Sequence, residues 1–279
     1  MSGESSPVAG GGGPAWVYVH GFTGSAVDTE LLEPLLPGRW ATVTLPGHAG
    51  FEPTAAMDAE STRAAAVDLL KRTLDSLHTC APITLIGYSA GARVVLAALL
   101  DAGLAVDAVV LVGATAGISD PSARESRRLA DLELAEHILA VGTEAFVREW
   151  AVHPVIRSQQ NIPEPWRSRR HHASLAHTPQ GLARHLRTIG QGSSPDLWPR
   201  LNEIRTPMLL LTGEHDTPYR ASADRMCALQ PEFRHHVIPG VGHCAHLEDP
   251  VQAAAAILRF VAAAAGSRLK SFPSSVEPL

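Results

Sequence analysis

Short apolar runs alternate along most of the chain with longer segments whose apolar residues recur at helical spacing. The short runs predict strands and the longer segments predict helices. This alternation is typical of a parallel, doubly wound α/β sheet, so we expect about six parallel strands and perhaps one more at the edge. The predicted strands are Ala15–Val19, Ala41–Leu45, Ile83–Gly87, Ala108–Val112, Met208–Thr212 and His235–Ile238, and the predicted helices are Ser61–Leu77, Ala90–Leu100, Ala221–Leu229 and Pro250–Ala263.

The alternation of strands and helices stops in residues 118–193, which contain no convincing strand and whose pattern predicts several helices. Since this segment lies between two predicted strands, we expect an inserted helical cap over the carboxyl edge of the sheet. It carries ten arginines, no lysine and eight acidic residues. The core is then formed by residues 14–117 and 194–265. Residues 1–13 are predicted to be a disordered tail and residues 266–279 a flexible one.

Composition narrows the class of protein and its location. A net charge of −5 gives no general attraction to nucleic acid or to an anionic membrane. No segment has the length and apolar content of a membrane-spanning helix, and the first residues lack the features of a signal peptide. Three cysteines, at positions 80, 227 and 244, fit a reducing compartment. We expect a cytoplasmic protein without nucleic-acid or membrane partners, and composition leaves the oligomeric state open.

A candidate nucleophile lies in the motif Gly-Tyr-Ser-Ala-Gly at residues 87–91, between a predicted strand and a predicted helix. Strand, Gly-x-Ser-x-Gly and helix together form the setting of a nucleophile elbow, a sharp turn that exposes the serine hydroxyl. The two glycines matter because a Cβ at either position would collide with the neighbouring strand or helix. We therefore predict that Ser89 is a nucleophile, provided that the rest of the chain supplies its partners.

A serine hydroxyl needs a base that removes its proton and an acidic group that orients the base. Behind an elbow of this kind they follow in the order serine, aspartate, histidine. Asp216 lies in the turn after a predicted strand, and His243 lies in the loop after the last strand. Glu214 and His246 are competitors, but Glu214 is closer to the strand end and His246 lies where a helix begins. The predicted catalytic triad is therefore Ser89, Asp216 and His243.

Two backbone amides are expected to form an oxyanion hole beside the nucleophile. The first predicted strand ends in Val-His-Gly-Phe at residues 19–22. In this setting one amide comes from the loop after the first strand, here Phe22, and the other from the residue after the nucleophile, here Ala90. His20 is expected to brace that loop.

Histidine-containing stretches at residues 169–172 and 235–236 raise the question of a metal site. Adjacent histidines point to different faces of an element, and no cluster of carboxylates or cysteines has the spacing of metal ligands. We therefore expect no bound metal, and Cys244 is expected to be a small buried residue.

Taken together, these motifs resemble the α/β-hydrolase superfamily over residues 15–264. Within it, the chain resembles the 2-succinyl-6-hydroxy-2,4-cyclohexadiene-1-carboxylate synthases (the MenH family) of menaquinone biosynthesis. The Tyr-Ser pair with an arginine after the second glycine is one of the more particular features. The resemblance is carried by VHGFTGSAVD, TLPGHAG, LIGYSAGARVVLAALL, EAFVREWAVHPVI, GLARHLRTIGQGSSPDLW and VGHCAHLEDP.

The resemblance implies an α/β-hydrolase fold with six to seven strands, an inserted helical cap and a lyase reaction that needs no metal or cofactor. That reaction eliminates pyruvate from 2-succinyl-5-enolpyruvyl-6-hydroxy-3-cyclohexene-1-carboxylate, a tricarboxylate. Arg93, one helical turn beyond Ser89 and on the same helix face, is then expected to bind a substrate carboxylate. A structural arginine is the alternative. The resemblance also implies that Tyr88 and Trp150 line the pocket and that Arg127, or the adjacent Arg128, faces a substrate carboxylate.

One stretch departs from the family pattern, which has Arg-x-x-Asn ahead of the segment TPQGLA. Here this stretch is Ser-Leu-Ala-His at residues 174–177. A third carboxylate contact therefore lacks its expected residue, and Arg170, one turn earlier, is a possible substitute.

Two other functions remain open at this point. The same triad serves hydrolases of esters, thioesters or carbon–carbon bonds, because one fold and one site support many chemistries. A non-catalytic binding protein of this fold is the second alternative, and an intact triad argues against it.

Overall fold

The computed structural model describes residues 13–49, 51, 56–77 and 81–270. Residues 1–12 and 271–279, which make up most of the two predicted tails, lie outside the described residues, as does Cys80.

A single six-stranded sheet lies at the centre of the described chain, with the strand order β2-β1-β3-β4-β5-β6 and every neighbouring pair parallel. The predicted doubly wound fold is therefore confirmed, and the described part of the chain contains no additional edge strand. The strands are β1 Ala15–Val19, β2 Arg39–Val43, β3 Ile83–Tyr88, β4 Ala108–Val112, β5 Met208–Gly213 and β6 Arg234–Ile238.

The helices flank this sheet and fill the long connection between β4 and β5. α3 changes direction at Gly142, whose φ of 78° is not helical. The α-helices are α1 Ala59–Ser76, α2 Ala90–Ala102, α3 Pro121–Trp150, α4 Trp166–Ser174, α5 Pro179–Ile189, α6 Thr217–Leu229, α7 Ala245–Glu248 and α8 Pro250–Lys270, and short 3₁₀ helices span Ala26–Leu31, Arg157–Asn161 and Trp198–Glu203. None of the helices in the described ranges combines the length and apolar content needed to cross a bilayer.

Alternate residues of the strands pack on opposite faces of the sheet, as the two-residue period of a strand requires. In β1, Val17 and Val19 join the core covered by α1, α2 and α6, whereas Trp16 and Tyr18 join the core covered by α7 and α8. The four inner strands are buried on both faces, which explains why they are mostly apolar rather than alternating, whereas the edge strands β2 and β6 carry polar residues and are partly exposed.

The largest differences from the predicted helices are extensions of α6 and α8. α6 begins at Thr217 rather than at Ala221, because Pro218 lies in its first turn, where a missing N–H is tolerated. α8 was expected to end at Ala263 but continues through Lys270, since alanine-rich sequence favours helix. The C-terminal segment predicted to be flexible from residue 266 is thus helical as far as Lys270.

The connection between β4 and β5 contains α3, α4 and α5 and no strand in this part of the chain. We call α3–α5 with their connections, residues 121–189, the cap. α3 and α5 share an apolar cluster that includes Ile138, Phe146 and Leu186, and Phe22 from the core packs against it. The cap is therefore held over the carboxyl ends of β1 and β3, where ligands bind in sheets of this type.

Candidate active site

Ser89 occupies a strained turn between β3 and α2. Its φ of 50° lies in the left-handed region, which a serine rarely adopts, and its N–H donates to Val112 O at 2.9 Å. A Cβ on Gly91 would lie 2.1 Å from Val19 O, and one on Gly87 would lie 2.9 Å from Ala92 Cα. The chain therefore passes through this turn only with glycine on both sides of the serine.

Ser89, His243 and Asp216 form a continuous hydrogen-bonded chain. His243 Nε2 lies 3.0 Å from Ser89 Oγ, and His243 Nδ1 lies 2.7 Å from Asp216 Oδ2. His243 and Asp216 are both buried. A carboxylate at Nδ1 holds the proton there, which leaves Nε2 free to accept the serine proton.

Glu214 and His246, the alternatives to Asp216 and His243 in the triad, make other contacts. Glu214 is exposed, and its Oε2 accepts a hydrogen bond from Gly240 N–H at 2.8 Å. His246 is fully buried on the other side of Tyr88, with its Nε2 2.9 Å from Tyr18 Oη. Burial lowers the pKa of His246 to about 3, so this ring is neutral at physiological pH.

The loop after β1 lies against the nucleophile. A Cβ on Gly21 would lie 3.4 Å from Ser89 Cβ and 2.7 Å from the Tyr88 ring. Within the described part of the chain, the N–H groups of Phe22 and Ala90 have no hydrogen-bond acceptor. Two unused amides beside a serine are the groups that an oxyanion hole requires.

A cavity of about 520 Å³ opens above Ser89, between the sheet and the cap. This volume suits a small organic molecule. All of the predicted substrate-binding residues lie on its wall, and most of the remaining lining comes from α3, α5 and the 3₁₀ helix Arg157–Asn161. The cavity is lined by the predicted residues Phe22, Tyr88, Ser89, Ala90, Arg93, Arg127, Trp150 and His243 and, among others, by Asp131, Phe146, Gln159, His185 and Tyr219.

Arg93 is a half-buried cation on this wall. Its Nε donates to Ser194 Oγ at 3.2 Å and its Nη2 donates to Ile189 O at 3.4 Å, so both described partners are neutral. No carboxylate of the described residues lies within ion-pair distance of it. Burial lowers the pKa of Arg93, but an arginine remains charged. The site therefore presents a positive charge that is not paired with a carboxylate of the described residues.

The other predicted binding residues have protein partners. Arg127 donates to Asp131 Oδ1 at 2.7 Å and to Gln191 Oε1 at 2.6 Å, and almost half of its side chain is exposed. Tyr88 is buried and accepts a hydrogen bond from Gln159 Nε2 at 3.1 Å. Trp150 stacks on Phe146 and lines the cavity.

Most of the arginines in the cap are neutralised. The ion pairs join Arg127 to Asp131, Arg128 to Glu125, Arg148 to Glu144, Arg167 to Glu164, Arg169 to Glu30, Arg170 to Asp28 and Arg187 to Glu136. The excess of arginine in the sequence therefore does not translate into an excess of free positive charge over the cavity. Arg128 pairs along the helix surface and does not line the cavity, so Arg127 is the member of this pair that reaches the site.

Arg170 does not take the place of the missing basic residue directly. It is ion-paired with the buried Asp28, and its Nη1 donates to Gln159 Oε1 at 2.8 Å. It lines a second cavity of about 350 Å³ that shares Trp150, Ile156 and Gln159 with the first. Arg170 is linked to the first cavity by Gln159, which donates a hydrogen bond to Tyr88 Oη.

Three residues of the site were missed in the sequence. Gln159 belongs to a short 3₁₀ helix without a recognisable motif. Tyr219 lies in the first turn of α6, three residues after Asp216, and its ring centroid is 4.4 Å from that of His243. Its place one helical turn after the predicted acidic residue was a usable signal. His185 shares the buried face of α5 with Leu182 and Leu186, and a histidine on an apolar face is an ordinary core residue in sequence terms.

Known proteins of similar sequence include α/β hydrolases and synthases of one kind. The model of the alpha/beta hydrolase family matches residues 10–257. A putative 2-succinyl-6-hydroxy-2,4-cyclohexadiene-1-carboxylate synthase of Bacillus subtilis (strain 168) is 35% identical over 237 residues, which cover 85% of this chain and 86% of that protein. The synthase of Salmonella schwarzengrund (strain CVM19633) is 30% identical, over 89% of this chain and 95% of that one.

Among solved structures, MenH from S. aureus superimposes with a TM-score of 0.81 at 28% identity, over 90% of this chain and 94% of the other. The parallel sheet, the elbow and the inserted cap define an enzyme of the α/β-hydrolase class. The chain belongs to the alpha/beta hydrolase family and, within it, to the family of the 2-succinyl-6-hydroxy-2,4-cyclohexadiene-1-carboxylate synthases.

Proposed function

We propose that this enzyme eliminates pyruvate from 2-succinyl-5-enolpyruvyl-6-hydroxy-3-cyclohexene-1-carboxylate in menaquinone biosynthesis, with Ser89, His243 and Asp216 as its catalytic triad. The observation that carries the proposal is a complete base–nucleophile pair facing the same cavity as the uncompensated cation of Arg93. Family membership directs the choice of substrate.

The reaction is a 1,4-elimination. The pair of Ser89 and His243 takes the proton from ring carbon 2, next to the ketone of the succinyl arm. Electrons of that C–H bond form the double bond between carbons 2 and 3, and the ring double bond moves to carbons 4 and 5. The bond from carbon 5 to the enolpyruvyl oxygen breaks, and the leaving group takes up a proton to become pyruvate. Asp216 stabilises the imidazolium that His243 becomes in between.

Negative charge develops on the succinyl ketone oxygen while the proton leaves. The amides of Phe22 and Ala90 are the groups that would bind this enolate oxygen, as they would bind the oxyanion of a hydrolase. Removal of one such donor typically costs about 10²–10³ in kcat, so the same hole contributes substantially to proton abstraction.

The substrate carries three carboxylates, and the side chains available to bind them in the cavity differ in charge. Arg93 is the strongest candidate for a direct bidentate contact, because no carboxylate in the described ranges of the chain shares its charge. Arg127 is shared with Asp131 and retains less attraction for a ligand. The third carboxylate is left to neutral donors at the cavity wall, since the family's basic residue is replaced by the segment 174–177.

An ester or thioester hydrolase remains the second candidate, because the same triad geometry supports attack by Ser89 Oγ on an acyl carbon. The reaction products separate the two functions. A coupled lactate dehydrogenase assay measures pyruvate release from the enolpyruvyl substrate, and a panel of aryl esters and thioesters measures acyl transfer. We expect pyruvate release to have the higher kcat/KM. Brisk ester turnover without pyruvate at micromolar enzyme would assign the chain to the hydrolases.

A further inference from the structure

The loop that carries the Phe22 amide is a tight turn in an unusual conformation. Gly24 N–H donates to Gly21 O at 3.0 Å, which closes the turn around Phe22 and Thr23. Thr23 has a φ of 62°, in the left-handed region that a β-branched residue avoids. Such a conformation persists only when surrounding contacts hold it.

Two histidine rings hold the backbone of Thr23 from both sides. The N–H of Thr23 donates to His48 Nε2 at 3.0 Å. On the other side, His177 Nδ1 accepts a hydrogen bond from Ala49 N–H at 3.0 Å, so the ring proton of a neutral His177 is on Nε2. That proton is donated to Thr23 O, 3.2 Å from Nε2. Both rings are buried, at 0% and 4% exposure, where an unmet backbone group is costly.

These contacts also fix the orientation of the neighbouring peptide groups. His20 Nδ1 lies 2.8 Å from Gly21 O, and His20 Nε2 accepts Leu45 N–H at 3.1 Å, so Nδ1 is the donor of the neutral ring. The His20 ring thus fixes the direction of the Gly21 carbonyl. Because the Phe22 N–H belongs to the same peptide plane as that carbonyl and points the other way, its direction is set by the same contacts.

His177 differs from the other two rings because it belongs to the cap, between α4 and α5, whereas His20 and His48 belong to the core. Its backbone carbonyl accepts a hydrogen bond from Thr143 Oγ1 of α3 at 2.9 Å. The cap therefore holds the backbone of this turn through the His177 side chain, while the Phe22 ring packs against the apolar cluster of the cap. His177 lies in the segment that departs from the family pattern.

We propose that His177 is a positioning residue for the oxyanion hole: its Nε2–H bond to Thr23 O holds the turn that directs the Phe22 amide and couples it to the cap. The inference rests on the oxyanion hole of the proposed function, but it applies equally to enolate formation and to ester hydrolysis. It assigns to His177 an effect on kcat, because the oxyanion exists in the transition state and not in the bound substrate.

Two conservative variants separate the two bonds of the ring. His177→Gln places an amide N–H where Nε2 lies and retains the donor to Thr23, whereas His177→Asn places a carbonyl where Nδ1 lies and retains only the acceptor for Ala49. His177→Ala removes both. We expect Asn and Ala to lower kcat about tenfold with KM within about twofold, since a displaced donor costs less than a deleted one. The kcat of His177→Gln is expected to be about fivefold higher than that of His177→Ala.

Thr143→Val is the matched control, because it removes the bond from α3 to the His177 backbone and leaves the ring contacts in place. Each variant is measured for pyruvate release, for hydrolysis of p-nitrophenyl acetate and for its thermal midpoint. If the wild type releases no pyruvate, the proposed reaction is wrong, and the ester assay still tests His177. Equal kcat for Gln and Asn, an effect on KM alone, or an equal loss in Thr143→Val would overturn the positioning role.

Discussion

Arg93 Nε donates to Ser194 Oγ at 3.2 Å, which ties the arginine of α2 to the chain segment that returns from the cap to the sheet. Ser194 in turn donates to Gly190 O at 3.0 Å, and its hydroxyl carries no charge that could neutralise the guanidinium. A cation in the first turn of a helix is disfavoured by the helix dipole, and here it also lacks an ion-pair partner among the described residues. Its charge is available to a ligand.

Arg93→Met is expected to reduce kcat/KM for the polycarboxylate while hydrolysis of a neutral aryl ester changes little. Loss of a charge-assisted contact costs about 1.5–3 kcal/mol, or roughly 10- to 150-fold. Steady-state kinetics on both substrates measure the difference. Arg93→Lys keeps the charge but not the bidentate geometry, and it should recover part of the loss. Equal losses on both substrates would show that Arg93 serves the fold.

Substitutions of the three triad residues are expected to reduce catalytic activity to different extents. Ser89→Ala and His243→Ala should each remove most of the activity, because proton abstraction by a positioned base contributes about 10²–10⁴. Asp216→Asn should lose less, since the base remains but its tautomer is no longer held. Single-turnover rates of pyruvate release are compared under saturating substrate. Near-full activity of Ser89→Ala on the true substrate would contradict its role as the reacting hydroxyl.

Much of the fold was predictable because the apolar runs of the four inner strands are buried on both faces. β1 and β4 have the predicted bounds, and the other strands differ by one or two residues at their ends. Lengths of α6 and α8 were less predictable, because helix ends depend on caps and propensity rather than on the apolar pattern.

The central part of the site was also predictable, since Ser89, Asp216 and His243 each follow a strand, and parallel strands bring their carboxyl ends to one edge. The cap was not. Gln159 approaches Tyr88 only through the packing of a 3₁₀ helix, and the pairing of Arg170 with Asp28 joins residues far apart in sequence. Such contacts leave no local signal in composition or periodicity.

Gly113 and Gly103 offer a matched pair for separating backbone strain from damage to the site. Both have a positive φ, 56° and 58°, so an alanine at either position costs about 1–2 kcal/mol of stability. A Cβ on Gly113 would lie 2.5 Å from His243 Cε1, whereas nothing lies within 4 Å of one on Gly103. Urea unfolding should show a loss of stability in both alanine variants, larger in Gly113→Ala because the buried His243 ring must shift, and kcat should fall only for Gly113→Ala. A normal kcat in Gly113→Ala would mean that the ring of His243 has room to move.

Stability is expected to fall as the pH is lowered from 7 to 5, because buried histidines must remain neutral in the folded state. Burial lowers the pKa of His20 to about 4 and those of His185 and His246 to about 3. The folded protein therefore binds fewer protons than the unfolded chain below pH 6.5. The stability that these rings contribute is complete above pH 6.5 and is lost as the pH falls toward the folded pKa.

Each of these histidines should lower the free energy of unfolding by about 2 kcal/mol between pH 7 and pH 5, at roughly 1.4 kcal/mol per pH unit below 6.5. Urea unfolding at pH 7, 6 and 5 measures the free energy of unfolding at each step. His246→Leu removes one titrating ring and should flatten the dependence by about 2 kcal/mol over this range, even if the variant is less stable at pH 7. Val251→Thr, at an exposed position without a titrating group, is the control and should keep the slope of the wild type. An unchanged slope in His246→Leu would mean that this ring is protonated in the folded state as readily as in the unfolded chain.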